Sequence, residues 1–176
     1  MTTQNSFLEV LSAGGRAAEI PPEDDLYGWL IGSWNMDAIF HLDDGSTLQQ
    51  KAEAHFSWVL EGRAVQDVWI TPRREERSAS TPKGVNLYGT TVRVYDPSLR
   101  LWRVTWFNPP TAAHDELTGR WSGKDIVQEG KSVTGASIRW SFTEITSDFF
   151  RWLGERLETD GRTWKLQAEF RARRVR

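Results

Sequence analysis

From Gly32 to the C-terminus the chain alternates apolar and polar residues with a period of two, in short segments separated by turn signals. Trp34, Met36, Ala38 and Phe40 fall on one face of the first segment, with Asn35, Asp37 and His41 on the other. Asp43, Asp44 and Gly45 supply a hairpin turn. The second segment, 47–60, sets Leu48, Ala52, Ala54, Phe56, Trp58 and Leu60 against Gln49, Lys51, Glu53, His55 and Ser57. Consecutive hairpin strands of this kind leave two open edges, and closing the sheet on itself removes both. The pattern therefore predicts a mainly β protein, a single antiparallel up-and-down barrel of about nine or ten strands.

Further strands are predicted over 63–71, 86–95, 101–108, 117–127, 136–145, 149–157 and 164–173, with turns at 128–131, 146–148 and 159–162. The segment 72–84, polar and bounded by prolines, reads as a solvated connection or a flap over a barrel mouth. Ahead of the strands, Pro21 and Pro22 precede Glu23, Asp24 and Asp25, and Leu26, Trp29 and Leu30 recur at helical spacing. A short amphipathic helix ending at Gly32 is expected there, after a flexible leader over 1–20 in which a loosely docked short helix would fit. The barrel domain is placed at 21–176.

Ten tryptophans in 176 residues need a physical role, and most sit on these alternating segments. An indole suits the wall of a closed β-structure, where it fills a tapering interior or lines a cavity. The length fits one domain. With 22 basic and 24 acidic residues the net charge is -2, which argues against nucleic acid as a partner. Arg171, Arg173, Arg174 and Arg176 read as a frayed basic tail. Without cysteine, disulfides and thiolate chemistry are excluded. The first sixteen residues lack a signal-peptide core, and no apolar run is long enough to span a bilayer, so a cytoplasmic protein with no membrane partner is expected. The excess of arginine over lysine points to a GC-rich bacterial genome.

The run Leu30, Ile31, Gly32, Ser33, Trp34, a helix followed by Gly-x-Trp, resembles the start of a lipocalin or fatty-acid-binding barrel. The similarity extends through 59–69, Tyr88 to Thr91 with Tyr95 and Asp96, and Asp160 to Trp164. Together these resemble the lipocalin-like bacterial proteins of unknown function in the calycin superfamily, over about residues 26–173. The resemblance implies a barrel with a central cavity and no settled reaction. The nitrobindins of that superfamily bind ferric haem through a late histidine, whereas the histidines here are His41, His55 and His114. No cofactor is therefore expected; haem is disfavoured, with His114 the nearest axial candidate. His41 and His55 read as solvent-facing, and three dispersed histidines predict no metal site.

Taking Trp34 as the inward anchor, the expected cavity residues are Phe56, Trp58, Gln66, Trp102, Trp106, Asn108 and Trp140, with Val68 beside Gln66. Gln66 and Asn108 would be polar groups on apolar walls and would need partners. Arg93, if inward, would hold a ligand carboxylate as cavity arginines do in fatty-acid-binding barrels; outward, it would sit in a cross-strand charge pair. Arg139 and Arg156 pose the same question. Asp67 and Glu144 are carboxylates in aromatic settings and the weak candidates for acid–base catalysis.

These observations favour binding of a small, largely apolar, aromatic or carboxylated ligand in a tryptophan-lined cavity. A cofactor-free isomerase, hydratase or cyclase using the same cavity is the alternative. A homodimer formed through a tryptophan-rich sheet face is the third reading.

Overall fold

The computed structural model describes residues 6–176. Ten antiparallel strands run β1 (Gly32–His41), β2 (Thr47–Val59), β3 (Ala64–Thr71), β4 (Leu87–Asp96), β5 (Leu101–Asn108), β6 (Ala113–Ser122), β7 (Asp125–Lys131), β8 (Ser137–Thr143), β9 (Phe149–Leu157) and β10 (Trp164–Arg174). Each strand pairs with its neighbours in sequence, and β1 pairs with β10 from Trp34↔Arg174 to Phe40↔Ala168, which closes the barrel. Among the described strands no edge is left for another chain to extend.

The stretch expected as one strand over 117–127 is a hairpin. Its turn lies at 123–124, where Gly123 takes a left-handed φ of 64°, and the residues expected to turn at 128–131 are paired strand. The polar run Ser122 to Asp125 turns the chain sooner than the apolar alternation suggests.

One end of the barrel is plugged by the segment before β1. It forms two single 3₁₀ turns, Pro22–Asp24 and Gly28–Leu30, in place of the expected amphipathic helix. The Asp25 carboxylate accepts the Gly28 amide at 2.7 Å and competes with the helical ladder. The plug is tied to the barrel by indole N–H groups. Trp34 on β1 donates to the Leu30 carbonyl and Trp102 on β5 to that of Asp24, while within the plug Trp29 donates to that of Leu26, each at 2.7 Å. Each satisfies the one donor that makes a deeply buried indole costly.

Tyr27 hangs at the centre of the plug, fully buried, edge-on to Trp102 at 5.1 Å, with its hydroxyl donating to Gln128 Oε1 at 3.1 Å. Burial pushes the Tyr27 phenol well above its ordinary pKa, against a smaller opposing pull from Arg93. Gly119 makes room for it, since a Cβ there would lie 2.2 Å from the tyrosine oxygen.

Both ends of the described chain are held on the barrel. The helix α1 (Ser6–Leu11) is followed by a segment that docks on the barrel: Ser12 bridges Val59, Ala17 donates to the Gly62 carbonyl, and Ile20 is buried. The first five residues of the expected leader lie outside the described residues. The basic C-terminal run is not a frayed tail. Arg174 ends β10, donates to the carbonyls of Trp29, Ile31 and Ser147, and covers the Trp34 ring at 4.2 Å. Arg171 pairs with Glu169 and Arg173 lies over Phe149.

Candidate functional site

The other end of the barrel is hollow. A cavity of about 380 Å³ lies there, walled by Phe40, Trp69, Trp106, Trp140, Trp152 and Phe170. Four of the rings touch edge to face or tilted, with Trp152 at 5.5 Å from Phe170 and 5.7 Å from Trp140, and Trp69 at 5.1 Å from Phe170. Two glycines let indoles lie flat along the wall. A Cβ on Gly89 would stand 2.4 Å from Trp106, and one on Gly154 would stand 2.6 Å from Trp152.

The segment 72–86 forms part of the mouth. Gly84 and Val85 line the cavity, and Val85 is buried against the barrel core. Its ends are pinned by arginines. Arg74 pairs with Glu53 through its side chain, at 2.8 Å and 3.0 Å, and through its amide at 2.9 Å. Chiefly through the Arg74 hydrogen bond, the Glu53 carboxyl is held down at about 2 from an ordinary 4.5. Arg77 donates to the carbonyls of Thr71 and Leu87 and to the Asn86 side chain. The segment is thus a fastened connection whose tip serves as wall.

The deepest polar lining is Thr91 and Arg93, inward on β4. Arg93 is buried and forms an ion pair with Asp67, whose side chain is fully buried on β3. The second Asp67 oxygen accepts the Thr91 amide at 2.8 Å. The guanidinium lies over Tyr27 at 5.0 Å, Phe56 at 5.8 Å and Phe142 at 5.9 Å. Its Nε–H is buried with no partner among the described residues. At the rim, His41 and Gln167 line the cavity, and their buried Nε2 atoms have no partner among the described residues either. Gln167 sits at a β-bulge, where the β9–β10 register shifts between Leu166 and Ala168, and such bulges re-aim side chains. Asp43, also at the rim, pairs with Lys165 at 3.1 Å.

The expected cavity residues divide into three groups. Arg93, Trp106 and Trp140 line the cavity. Phe56, Trp58 and Trp102 point inward but are packed around the plug, with Trp58 and Trp102 at 6.4 Å and Phe56 against Trp69 at 6.1 Å. Gln66 and Asn108 do not reach it. On β3 the inward face is Val65, Asp67 and Trp69, opposite Trp58, Phe56 and Ala54 on β2. Gln66 and Val68 point out, and Gln66 donates to Thr90 Oγ1 at 3.0 Å. Apolar content alone favoured the wrong face, because Arg93 across the β3–β4 pair neutralises the inward Asp67. The buried Asn108 amide is used within the mouth framework: it accepts the Tyr88 amide and donates to the Asn86 carbonyl and Thr111.

Of the two candidate acid–base carboxylates, Asp67 is committed to Arg93. Glu144 lies outside the barrel after β8, at a left-handed φ of 53°, in an exposed pair with Arg151. Neither lines the cavity. His41 was expected in solvent and is instead at the cavity rim. His55 is half-buried on the outer face, between Ser33 at 2.9 Å and Glu53 at 3.1 Å. His114 stacks on Phe107 at 4.8 Å on the outer face of β6, pointing away from the cavity. Arg139 and Arg156 are in charge pairs, with Glu155 at 2.8 Å and Glu158 at 3.7 Å. Of the ten indoles only Trp121 is exposed. Trp69, Trp152 and Gln167 escaped the sequence reading, although Phe150 and Trp152 alternate on β9 as Trp140 and Phe142 do on β8.

The closed ten-stranded antiparallel barrel, plugged at one end and hollow at the other, has a lipocalin-like fold. The sequence matches no protein-family model and no curated protein. In structure it is similar to Rv2717c from M. tuberculosis, at 13% identity, with a TM-score of 0.58 over 89% of this chain and 99% of that one. It is also similar to the S-type phycobiliprotein lyase CPES from Guillardia theta, at 12% identity, with a TM-score of 0.57 over 87% of this chain and 92% of that one. At these identities the likeness carries the fold. No helix among the described residues is long and apolar enough to cross a membrane.

Proposed function

We propose that the protein binds a small, largely apolar, ring-bearing molecule in the hollow end of the barrel. The observation that carries this reading is the cavity itself, about 380 Å³ with four indoles in its wall, in a barrel whose other end is fully packed. A chain that needed its aromatics only as core would collapse them at both ends, because a void forfeits dispersion contacts. Buried polar atoms at the rim and one at the floor fit the usual make-up of a ligand site, an apolar wall with few polar groups. The likeness to a structure named a phycobiliprotein lyase is compatible with this.

The test is calorimetric titration with a panel of ring-bearing compounds, repeated on Trp140→Ala and, as control, Trp121→Ala. Trp140 is in the wall and Trp121 on the outer surface. Saturable binding, weakened about tenfold by the first substitution and unchanged by the second, is expected. No binding across the panel, or equal effects of the two substitutions, would sink the reading.

A further inference from the structure

We infer that the cavity floor selects neutral ligands whose inward end carries a hydrogen-bond acceptor, such as a ketone, quinone or amide carbonyl, and discriminates against the matching carboxylate. The inference rests on the binding reading above and names its ligand class.

An arginine in an apolar cavity would ordinarily serve as a carboxylate anchor. Here the charge is already matched. Arg93 Nη1 donates to Asp67, and the two side chains are 2% and 0% exposed. The rings of Tyr27, Phe56 and Phe142 lie at 5.0, 5.8 and 5.9 Å from the guanidinium. A ligand carboxylate would add a second negative charge beside one cation in a site with almost no water. Such an uncompensated buried charge is strongly unfavourable.

The rim offers no spare cation either. His41, Asp43 and Arg93 are the ionisable lining residues; of the two cations near the rim, Lys165 is held by Asp43 at 3.1 Å and Arg156 lies between Asp43 at 3.9 Å and Glu158 at 3.7 Å, so each already has an acidic partner. What the floor does offer is Arg93 itself, which lines the cavity and whose buried Nε–H has no acceptor among the described residues. A neutral carbonyl oxygen satisfies that donor without changing the net charge of the site, and a guanidinium N–H is a stronger donor than a neutral amide.

The experiment is titration of the full chain by calorimetry with three ligands of one ring system: acetylnaphthalene, naphthoate and ethylnaphthalene, at mildly alkaline pH where the acid is ionised. The ketone should bind about tenfold tighter than the hydrocarbon and at least about tenfold tighter than the carboxylate. Asp67→Asn, close in shape and without charge, should raise naphthoate affinity by about tenfold or more relative to the ketone, because Arg93 is then unmatched. If that variant does not fold, the wild-type order decides alone. Naphthoate binding as tightly as the ketone, or ethylnaphthalene equal to it, would overturn the inference while leaving the cavity reading intact. Binding by none of the three would overturn the cavity reading and this inference together.

Discussion

Removing the Asp67 carboxylate should be among the most damaging single changes in the protein. Asp67→Ala deletes the partner of a guanidinium that is 2% exposed, and also strips the acceptor from the Thr91 amide. Breaking a buried pair by deleting one member costs about 3–5 kcal/mol, because the remaining charge is left desolvated. For a domain of this size each kcal/mol lowers the melting temperature by roughly 2–4 °C, so a fall of about 6–20 °C is expected. The double variant Asp67→Ala/Arg93→Met removes both charges and keeps an unbranched side chain among Tyr27, Phe56 and Phe142. It should recover most of that loss. Urea unfolding followed by tryptophan fluorescence, run as a double-mutant cycle, measures the coupling. A single-variant loss under about 1 kcal/mol, or a double variant no better than the single, would refute the argument that the pair is sealed from water.

Three further outcomes follow from the geometry. The Glu53 carboxyl, held at about 2 against an ordinary 4.5, stabilises the fold fully above the ordinary value and loses that contribution as pH falls through about 2. The full shift corresponds to about 3 kcal/mol, which solvent around the exposed Arg74 side chain reduces, so Glu53→Gln should cost about 2 kcal/mol at neutral pH, and the gap from wild type should close between these two pH values in acid-unfolding curves. Gly89→Ala puts a Cβ 2.4 Å from Trp106 and 2.5 Å from the Phe107 carbonyl, so backbone and indole must both yield. A loss of about 1–3 kcal/mol and weaker ligand binding should accompany it, seen by melting and calorimetry. Arg174→Ala removes donors to three carbonyls at the plugged end and the cover on Trp34, and should lower stability by about 1–3 kcal/mol. Because these groups lie far from the cavity, ligand affinity should not change.

Most of the architecture was legible because it is local. A period of two, broken by Asp-Asp-Gly and Asp-Gly-Arg turns, specifies hairpins without reference to anything distant. The misread hairpin over 113–131 shows where that stops: Gly123 and Gly130 were both available as turn residues. Gly130 is in fact a paired strand residue, where a Cβ would sit 1.9 Å from the Glu116 carbonyl. The plug was recognisable as amphipathic, but its 3₁₀ form depends on the Asp25 side chain competing for the Gly28 amide.

The site was legible only in outline. Trp106 and Trp140 could be assigned to an inward face because their strands have one plainly apolar side. On β3 both faces are mixed, and no local rule ranks Asp67 against Gln66 for the interior. Only the pairing of β3 with β4, which sets Arg93 beside Asp67, makes the charged residue the less costly one to bury. In the same way, whether an inward tryptophan packs or lines depends on its height along the barrel. Trp34, Trp58 and Trp102 meet the plug; Trp69, Trp106, Trp140 and Trp152 lie beyond its reach. Alternation along the chain determined that a closed barrel forms with its indoles inside, since side-chain period is a property of each strand. Closure in three dimensions decided which indoles face empty space and which charge meets its partner, since both depend on residues far apart in sequence.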